Sequence, residues 1–270
     1  MLKLAKGLRR VLGFLIFDPR LVWLKYLLTV ALLGFLLVSN SMKIGYRWQW
    51  YRVVRYLIAS GENGLSPGIL LQGLAVTMKI SMISLLLSSL IGLVTAMLKL
   101  SDSIVGRWLA GIYIESIRNT PLLIQILVIY FVFAPIFGIS AFASAVIALS
   151  LFEGAYTSEI IRGGIKAVSK GQREAAASLG MSGLQTYAFV ILPQAFRMMT
   201  PPLTGQGISL IKDSALVSVI ALYDLTMQGQ AIVSETFLAF EIWLTVAALY
   251  LSLTLTLSAL VRLLEKKAVI

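Results

Sequence analysis

The sequence predicts an all-α integral membrane protein, and three observations carry that prediction. Hydrophobic residues make up 59% of the 270 residues and charged residues only 13%, about half the charged share usual in soluble domains. The apolar residues fall in long runs, near the roughly 20 residues that cross a bilayer as a helix. A formal charge of +11 gathers between those runs, as expected when Lys and Arg mark one side of a membrane.

Six apolar runs are candidate transmembrane helices. The first is too long for a signal peptide and lacks a small-residue cleavage site. Three prolines interrupt the fifth, and Asn119-Thr120-Pro121 breaks the third. A five-span topology, in which the first run does not cross, is the alternative. The six runs are Leu21–Ser39, Ile69–Leu98, Ile104–Ala134, Phe142–Ile161, Tyr187–Leu216 and Ile242–Leu264.

Basic residues outside the runs set the expected orientation. With six crossings, the segments 1–20, 99–107, 162–186 and the C-terminal end lie on one side, and each carries Lys or Arg. The positive-inside rule makes that side cytoplasmic, with both chain termini on it.

One loop on the other side departs from this pattern. Segment 41–66 mixes four cations with five Trp and Tyr residues, which is typical of chain lying at the membrane interface. We expect an interfacial helix around Trp48–Ala59 followed by a turn at Gly61-Glu62-Asn63-Gly64, with a poorly ordered loop as the alternative. The chain then divides into residues 1–64, which hold the tail, an extra helix and this loop, and a helical core at 65–270.

Composition also narrows the chemistry. Because the chain has no Cys and no His, it lacks the side chains for disulfides, usual zinc sites and Ser-His-Asp or Cys-His catalysis. No G-x-x-x-x-G-K-[ST] phosphate loop is present, so this chain is not expected to hydrolyse ATP or to carry a cofactor itself. The enzyme alternative is intramembrane chemistry by Glu153 and Glu159, which an i, i+6 spacing places on roughly opposite helix faces.

The cytoplasmic segment 162–193 is the most informative stretch. Lys170–Leu179 predicts a short helix rich in small residues, and Gly180 suits a left-handed C-terminal cap. A second element is expected from near Ser182 to Pro193. Small side chains at 175–177 let another surface approach closely, which favours a docking knob for a partner. An ordinary connecting loop is the alternative.

Four motifs in the sequence resemble one known family. Glu174-Ala175-Ala176, then Gly180, then Leu192-Pro193 resembles the EAA loop of ABC importer permeases, with Val190 where that pattern has Ile. The other three resemble the polar amino acid branch of that family, with Asn119 in place of a Gly, and the resemblance covers roughly Leu65 to the C-terminus. They are the stretches Glu115–Gln125 (E-x-x-R-G-T-P-L-L-x-Q), Gly154–Ile165 (G-A-Y-x-x-E-I-x-R-G-G-I) and Leu210–Ser214 (L-x-K-D-[TS]).

The resemblance implies a type I ABC importer permease fold of about six transmembrane helices, a five-helix core plus one N-terminal helix, in the bacterial inner membrane. It implies partners: ATPase subunits that hold ATP and Mg, a second permease subunit of the same or a sister chain, and a periplasmic or surface substrate-binding protein that delivers an amino acid. Coupling to the ATPase would rest on Glu174, Ala175, Ala176, Gly180 and Pro193.

Charges inside the predicted spans are costly and usually mark a pair or a pathway. Glu115 with Arg118, and Glu159 with Arg162, stand at i, i+3, which favours local structural ion pairs. Glu153 differs, because it lies in an apolar run with no cation within four residues.

Glu153 is therefore the leading candidate for the substrate pathway. Its carboxylate suits an α-ammonium or a basic side chain, and Thr157 lies one turn further on the same face. Thr120 and Gln206 are weaker candidates, each near a helix break where backbone groups are free. The alternatives are that Glu153 pairs with Arg197 or Lys79, or stays protonated. An ion-coupled carrier, with Glu153 binding a proton or Na⁺, is the further functional alternative.

Overall fold

The computed structural model describes residues 22–43, 45–61 and 64–268. The basic tail predicted at 1–20 and the turn residues 62–63 lie outside the described residues. The chain falls into two compact units that meet between Trp48 and Gln49, so the predicted border at residue 65 lies inside the second unit. In the first unit the described structure is chiefly helix α1, Val22–Lys43.

The aromatic segment after residue 48 opens the second unit. It forms a 3₁₀ turn at Trp50–Arg52 and the short helix α2, Val54–Leu57. Of the helix predicted around Trp48–Ala59, only these two short helical pieces form, and its interfacial position stays a prediction. Strands β1, Ile58–Gly61, and β2, Gly64–Pro67, follow as an antiparallel pair in which Gly61 faces Gly64. The sequence analysis missed this hairpin, although glycines flanking a two-residue connection are typical of one.

Two contacts fix the aromatic segment to the helical core. Val53 is buried in a cluster with Leu70, Leu225 and Ile242. The backbone N–H of Gln49 donates to Oε1 of the fully buried Glu241 at 2.6 Å. The segment therefore packs onto the helices of the second unit through Val53, while Trp50 and Tyr51 stay exposed.

Long apolar helices occur in both units. Among the described residues, four helices are long and apolar enough to cross a membrane, or five spans if a bent pair counts as one. The bent pair turns by 104° at the break around residue 119, which confirms the predicted break in the third run. The four long helices are α1; α3, Ile69–Leu100; α7, Ala141–Ala167; and α12, Ala239–Ala268. The bent pair begins with α4, Ile104–Arg118. After the break it continues with α5, Leu122–Val128, a π-helical turn, Ile129–Phe133, and α6, Ala134–Phe137.

The fifth predicted span is less apolar than the others. A π-helical turn, Thr186–Ile191, leads into α10, Leu192–Asp213, and a 3₁₀ helix follows at Ser214–Ile220. Helix α10 continues through Pro201 and Pro202 and is not among the helices apolar enough to span by composition. Its charges and hydroxyls lower its hydropathy. Helix α11, Leu225–Thr236, lies between the 3₁₀ helix and α12.

The packing of α3 against α7 forms the centre of the fold. A Cβ on Gly92 of α3 would lie 2.5 Å from Cγ2 of Thr157, and a Cβ on Gly154 of α7 would lie 2.8 Å from Ile91. Glycine at both positions therefore lets the two backbones approach closely, as small residues do in membrane helix pairs. Buried residues of α3 repeat at helical spacing on the same stripe; they are Gly73, Thr77, Ile80, Ser81, Ser84, Ser88, Gly92 and Thr95.

Candidate functional site

A cavity of about 390 Å³ lies between α3, α7, α10 and α12. Its surface is mostly apolar, and seven polar residues contribute to the lining. Glu153, Thr157 and Gln206 all line it, so the structure brings together three of the four side chains predicted for the substrate pathway.

Glu153 is the only carboxylate among the described residues that line this cavity. It is 1% exposed. Its Oε2 accepts a hydrogen bond from Nε2 of Gln206 at 2.5 Å. Its Oε1 accepts no hydrogen bond from the described residues, although the carboxyl group of Asp213 is near enough to donate one when it is protonated. A buried carboxylate oxygen without a donor is costly, so this position favours a ligand that brings an N–H group.

The predicted alternative partners of Glu153 lie elsewhere. Lys79 places its ammonium 5.4 Å from the centroid of the Phe142 ring. Arg197 is exposed on α10. Among the described residues, neither cation forms an ion pair with Glu153. Its partner Gln206 is 53 residues away in the sequence, so only the packing of α10 against α7 creates this contact.

Thr120 does not reach the cavity, which corrects the prediction for this residue. Its hydroxyl donates to the carbonyl of Ser116 at 2.9 Å, and its own carbonyl accepts from Nε2 of Gln125 at 2.8 Å. The backbone groups freed by the break are thus satisfied locally and are not left for a ligand.

Four further hydroxyl side chains line the cavity and were missed by the sequence analysis. They come from α3 and α10, two helices that the sequence cannot place against each other. The sequence offered one sign of two of them, because Thr200 and Thr204 stand at i, i+4 and therefore share one helix face. The four residues are Ser88, Ser89, Thr200 and Thr204.

One of the two predicted ion pairs forms as predicted, Glu159 with Arg162 near the end of α7, and the other, Glu115 with Arg118, does not. Nε of Arg162 donates to Oε1 of Glu159 at 2.9 Å. Arg118 turns to the same glutamate, at 3.9 Å from Oε2, and stacks over the Tyr156 ring. Within the described chain Glu115 and Arg118 therefore do not pair. Helix α4 ends at Arg118, which leaves that side chain pointing across to α7.

Asp224 is another buried carboxylate, and it caps the N-terminus of α11. Its hydrogen-bond partners were not predicted from the sequence. Oδ1 of Asp224 accepts from the backbone N–H of Met227 at 2.9 Å, and the Tyr250 hydroxyl donates to Oδ2 at 3.4 Å. Thr77 accepts from the neighbouring backbone N–H of Leu225 at 3.1 Å. Burial raises the pKa of Asp224 to about 6, although the backbone N–H groups at the helix N-terminus oppose that shift. This cluster ties α11 to α3 and α12.

The predicted docking knob is helix α8, Lys170–Ser178, followed by Gly180 at φ +74°. The left-handed C-terminal cap predicted there is confirmed. Ala176 is buried, whereas Glu174 and Ala175 are exposed. No described residue donates a hydrogen bond to the Glu174 side chain, so it is available to a partner. Exposed leucines that the sequence analysis did not single out lie beside it, Leu179 at 82% and Leu184 at 83%.

Contacts with the membrane helices hold α8 in place. Nη2 of Arg173 donates to the carbonyl of Ile165 at the end of α7 at 3.3 Å, and its guanidinium lies 5.8 Å from the Tyr187 ring centroid. Ser182 and Gln185 form a capping box at the start of α9, Gly183–Gln185. Pro193 then stands in the first turn of α10, where its missing N–H costs nothing. Helix α8 is therefore joined to the end of α7 and to the π-helical turn that leads into α10.

Comparison with known proteins identifies the family. Residues 88–270 match the family model described as "Binding-protein-dependent transport system inner membrane component". The chain belongs to this family. It is thus the membrane permease subunit of an ABC importer, not an enzyme, and ATP is hydrolysed on a separate subunit. The fold and family predicted from the sequence motifs are confirmed.

Curated relatives agree along nearly their whole length. The glutamine transport system permease protein GlnP of Escherichia coli K12 is 40% identical over 202 residues, which are 74% of this chain and 92% of that protein. The arginine transport system permease protein ArtQ of Bacillus subtilis 168 is 36% identical over 200 residues, 73% of this chain and 91% of that protein.

Solved structures give the same fold. A crystal structure of an amino acid ABC transporter with histidines matches with a TM-score of 0.74 and 39% identity, over 82% of this chain and 100% of that one. An inward-facing structure of the MetNI methionine ABC transporter matches with a TM-score of 0.61 and 19% identity, over 74% and 96%. That second likeness shows the fold alone.

Proposed function

We propose that this permease carries a polar or charged amino acid across the inner membrane through the Glu153 cavity. The observation that carries the proposal is the buried Glu153 carboxylate, which has one oxygen held by Gln206 and the other without a donor. Relatives named for glutamine and arginine transport support an amino acid substrate. The cavity volume of about 390 Å³ is in the range of small-molecule sites.

The chemistry of the cavity indicates which part of the substrate binds there. Oε1 of Glu153 accepts from an ammonium, guanidinium or amide N–H, while Gln206 fixes the carboxylate in one orientation. Thr157 offers a hydroxyl one turn away, and the apolar remainder of the wall excludes water, which strengthens the contact. The donor-bearing end of the amino acid therefore lies against Glu153.

Exposed cations on α10 support a second permease subunit, of the same or a sister chain. Arg197 and Lys212 both lie at the surface of the single chain, and a cation facing hydrocarbon is expensive. A water-filled pathway shared with a second subunit removes that cost. Alternating access then comes from rigid-body movement of packed helices about the shared interface.

Helix α8 is the proposed contact with the ATPase, which holds ATP and Mg. Glu174, Ala175 and the exposed Leu179 and Leu184 present a small surface with an apolar rim, suited to a groove on the partner. The basic residues around 162–186 support a cytoplasmic position for this surface and for both chain termini. A periplasmic or surface substrate-binding protein would then deliver the amino acid on the opposite side.

The test of the cavity is Glu153→Gln in the reconstituted importer. Losing a charged hydrogen bond to the substrate costs about 1.5–3 kcal/mol, so we expect KM for uptake to rise roughly 10- to 100-fold. Glu235→Gln, at an exposed glutamate on α11, is the matched control and should transport normally. Affinity of the substrate-binding protein measured alone should stay the same. Unchanged KM and selectivity in Glu153→Gln would remove the cavity role.

The test of the docking surface is Gly180→Ala. The left-handed φ of Gly180 costs a side-chain-bearing residue about 1–2 kcal/mol, so we expect weaker capture of the ATPase subunit in a pull-down. Gly171→Ala adds the same methyl group to α8 in open space with ordinary backbone and should capture it fully. Equal capture by both variants would contradict the role of the Gly180 turn.

A further inference from the structure

A second pocket of about 480 Å³ lies on the outer surface where α3 ends and α4 begins. Its residues are not those of the Glu153 cavity, and nothing in the proposed transport pathway uses it. Lys99 and Arg107 line one end, Gly111 forms the floor, and Trp108 stands on the wall. The groove carries two cations and one carboxylate, Glu115, on a surface that is otherwise apolar.

Two contacts hold the cations in place, and Lys99 also interacts electrostatically with Glu159 of α7. Lys99 crosses α4 so closely that a Cβ on Gly111 would lie 2.8 Å from its Nζ. Nη1 of Arg107 donates to the carbonyl of Ser101 at 2.9 Å, which leaves the other donors of the guanidinium available. Within the described chain neither cation forms an ion pair. The groove also contains the carboxylate of Glu115, which lies one helical turn from Gly111 and about 12 Å along the helix from Arg107, and which accepts a hydrogen bond from Asn119.

The wall of the groove is apolar and open. Ile104 is 77% exposed and Trp108 65%, and Ile112 continues the same stripe of α4 at i, i+4 and i+8. A row of exposed apolar side chains on a membrane helix faces hydrocarbon, and Trp prefers the level of the lipid headgroups. The two cations therefore lie at the depth of the phosphates, next to a surface for acyl chains.

We propose that this groove binds the headgroup of an anionic phospholipid, with the phosphate on Lys99 and Arg107. The acyl chains then lie along the stripe formed by Ile104, Trp108 and Ile112. Basic pockets between transmembrane helices are suited to anionic headgroups. A zwitterionic lipid is disfavoured, because its ammonium group would meet the same two cations.

The test is lipid retention by the full-length chain. Protein from bilayers of equal phosphatidylglycerol and phosphatidylcholine is released into native mass spectrometry, and the ratio of retained lipids is measured. We expect enrichment of phosphatidylglycerol in the wild type. Lys99→Gln with Arg107→Gln should cut it about tenfold or more, from the attraction that each surface cation contributes.

Two further variants separate the groove from general charge effects. Gly111→Leu fills the floor without changing charge and should cause a similar loss. Arg55→Gln with Arg262→Gln removes the same charge elsewhere and should retain the lipid normally. Equal retention by wild type and both groove variants would overturn the proposal. Displacement of the retained lipid by millimolar inorganic phosphate would show a soluble-anion site and would overturn the lipid as its occupant.

Discussion

Replacing Gly92 by Ala tests the helix crossing that positions the cavity. The added Cβ would lie 2.5 Å from Cγ2 and 2.7 Å from Cβ of Thr157, and 3.1 Å from the carbonyl oxygen of Gly154. Ordinary contacts begin near 3.4 Å, so α3 and α7 must separate by almost 1 Å, or Thr157 must move into the cavity. Overpacking of this kind costs about 1–3 kcal/mol.

Gly163→Ala is the control that isolates this steric cost. Gly163 lies in α7 with no heavy atom near its would-be Cβ, so Ala gains about 1 kcal/mol of helix preference there at no steric cost. The same gain applies at Gly92, so the difference between the two variants measures the clash. At about 3 °C per kcal/mol, thermal unfolding of the purified chain should separate them by roughly 3–9 °C.

A double variant checks the cause. Thr157→Ser removes Cγ2, the atom nearest the added methyl group, and keeps the hydroxyl that faces the cavity. Gly92→Ala with Thr157→Ser should therefore recover part of the lost stability. If Gly92→Ala unfolds at the same temperature as Gly163→Ala, or if the serine recovers nothing, the close approach of α3 and α7 at this point is refuted.

Three other predictions concern the remaining carboxylates. Because the pKa of Asp224 is raised to about 6, its contribution to stability is present below pH 4 and is lost as pH rises toward 6. The unfolding temperature of Asp224→Asn relative to wild type should therefore increase from pH 4 to pH 6. A temperature difference that does not change with pH would contradict the raised pKa. Glu241→Ala removes the acceptor of the Gln49 N–H, at a cost of about 1.5–3 kcal/mol, and hydrogen exchange should quicken at residues 49–57 while α8 stays unchanged. Glu159→Gln weakens a partly exposed ion pair with Arg162, so the free energy of unfolding should fall by less than about 1 kcal/mol. A larger loss, measured by thermal unfolding, would show that the pair is buried in the assembly.

Features that depend on local sequence were predictable. The cap at Gly180 follows from one residue and its neighbours, because glycine adopts a left-handed φ that other residues avoid. The break before Pro121 is local in the same way, since a proline disfavours helix in the residue before it. The EAA loop could be recognised because its residues are contiguous.

Features that depend on helix packing were predicted only in part. Glu153 stood out because a charge in an apolar run is conspicuous, but its partner could have been any polar group on four other helices. Glu115 and Arg118 have the right spacing for a pair, yet Arg118 is the last residue of its helix and reaches Glu159 on α7 instead. The hairpin at 58–67 was missed because the aromatic residues before it favoured a helix.

The sequence alone determined the membrane location and the family, and it predicted the coupling loop, because composition, apolar run length and contiguous motifs are properties of the chain itself. The tertiary structure alone decided that Gln206 holds Glu153, that hydroxyls of α3 and α10 share its cavity, and that Thr120 lies outside it. These contacts join residues far apart in the sequence. They form because glycines let α3 and α7 approach closely and thereby fix which side chains meet.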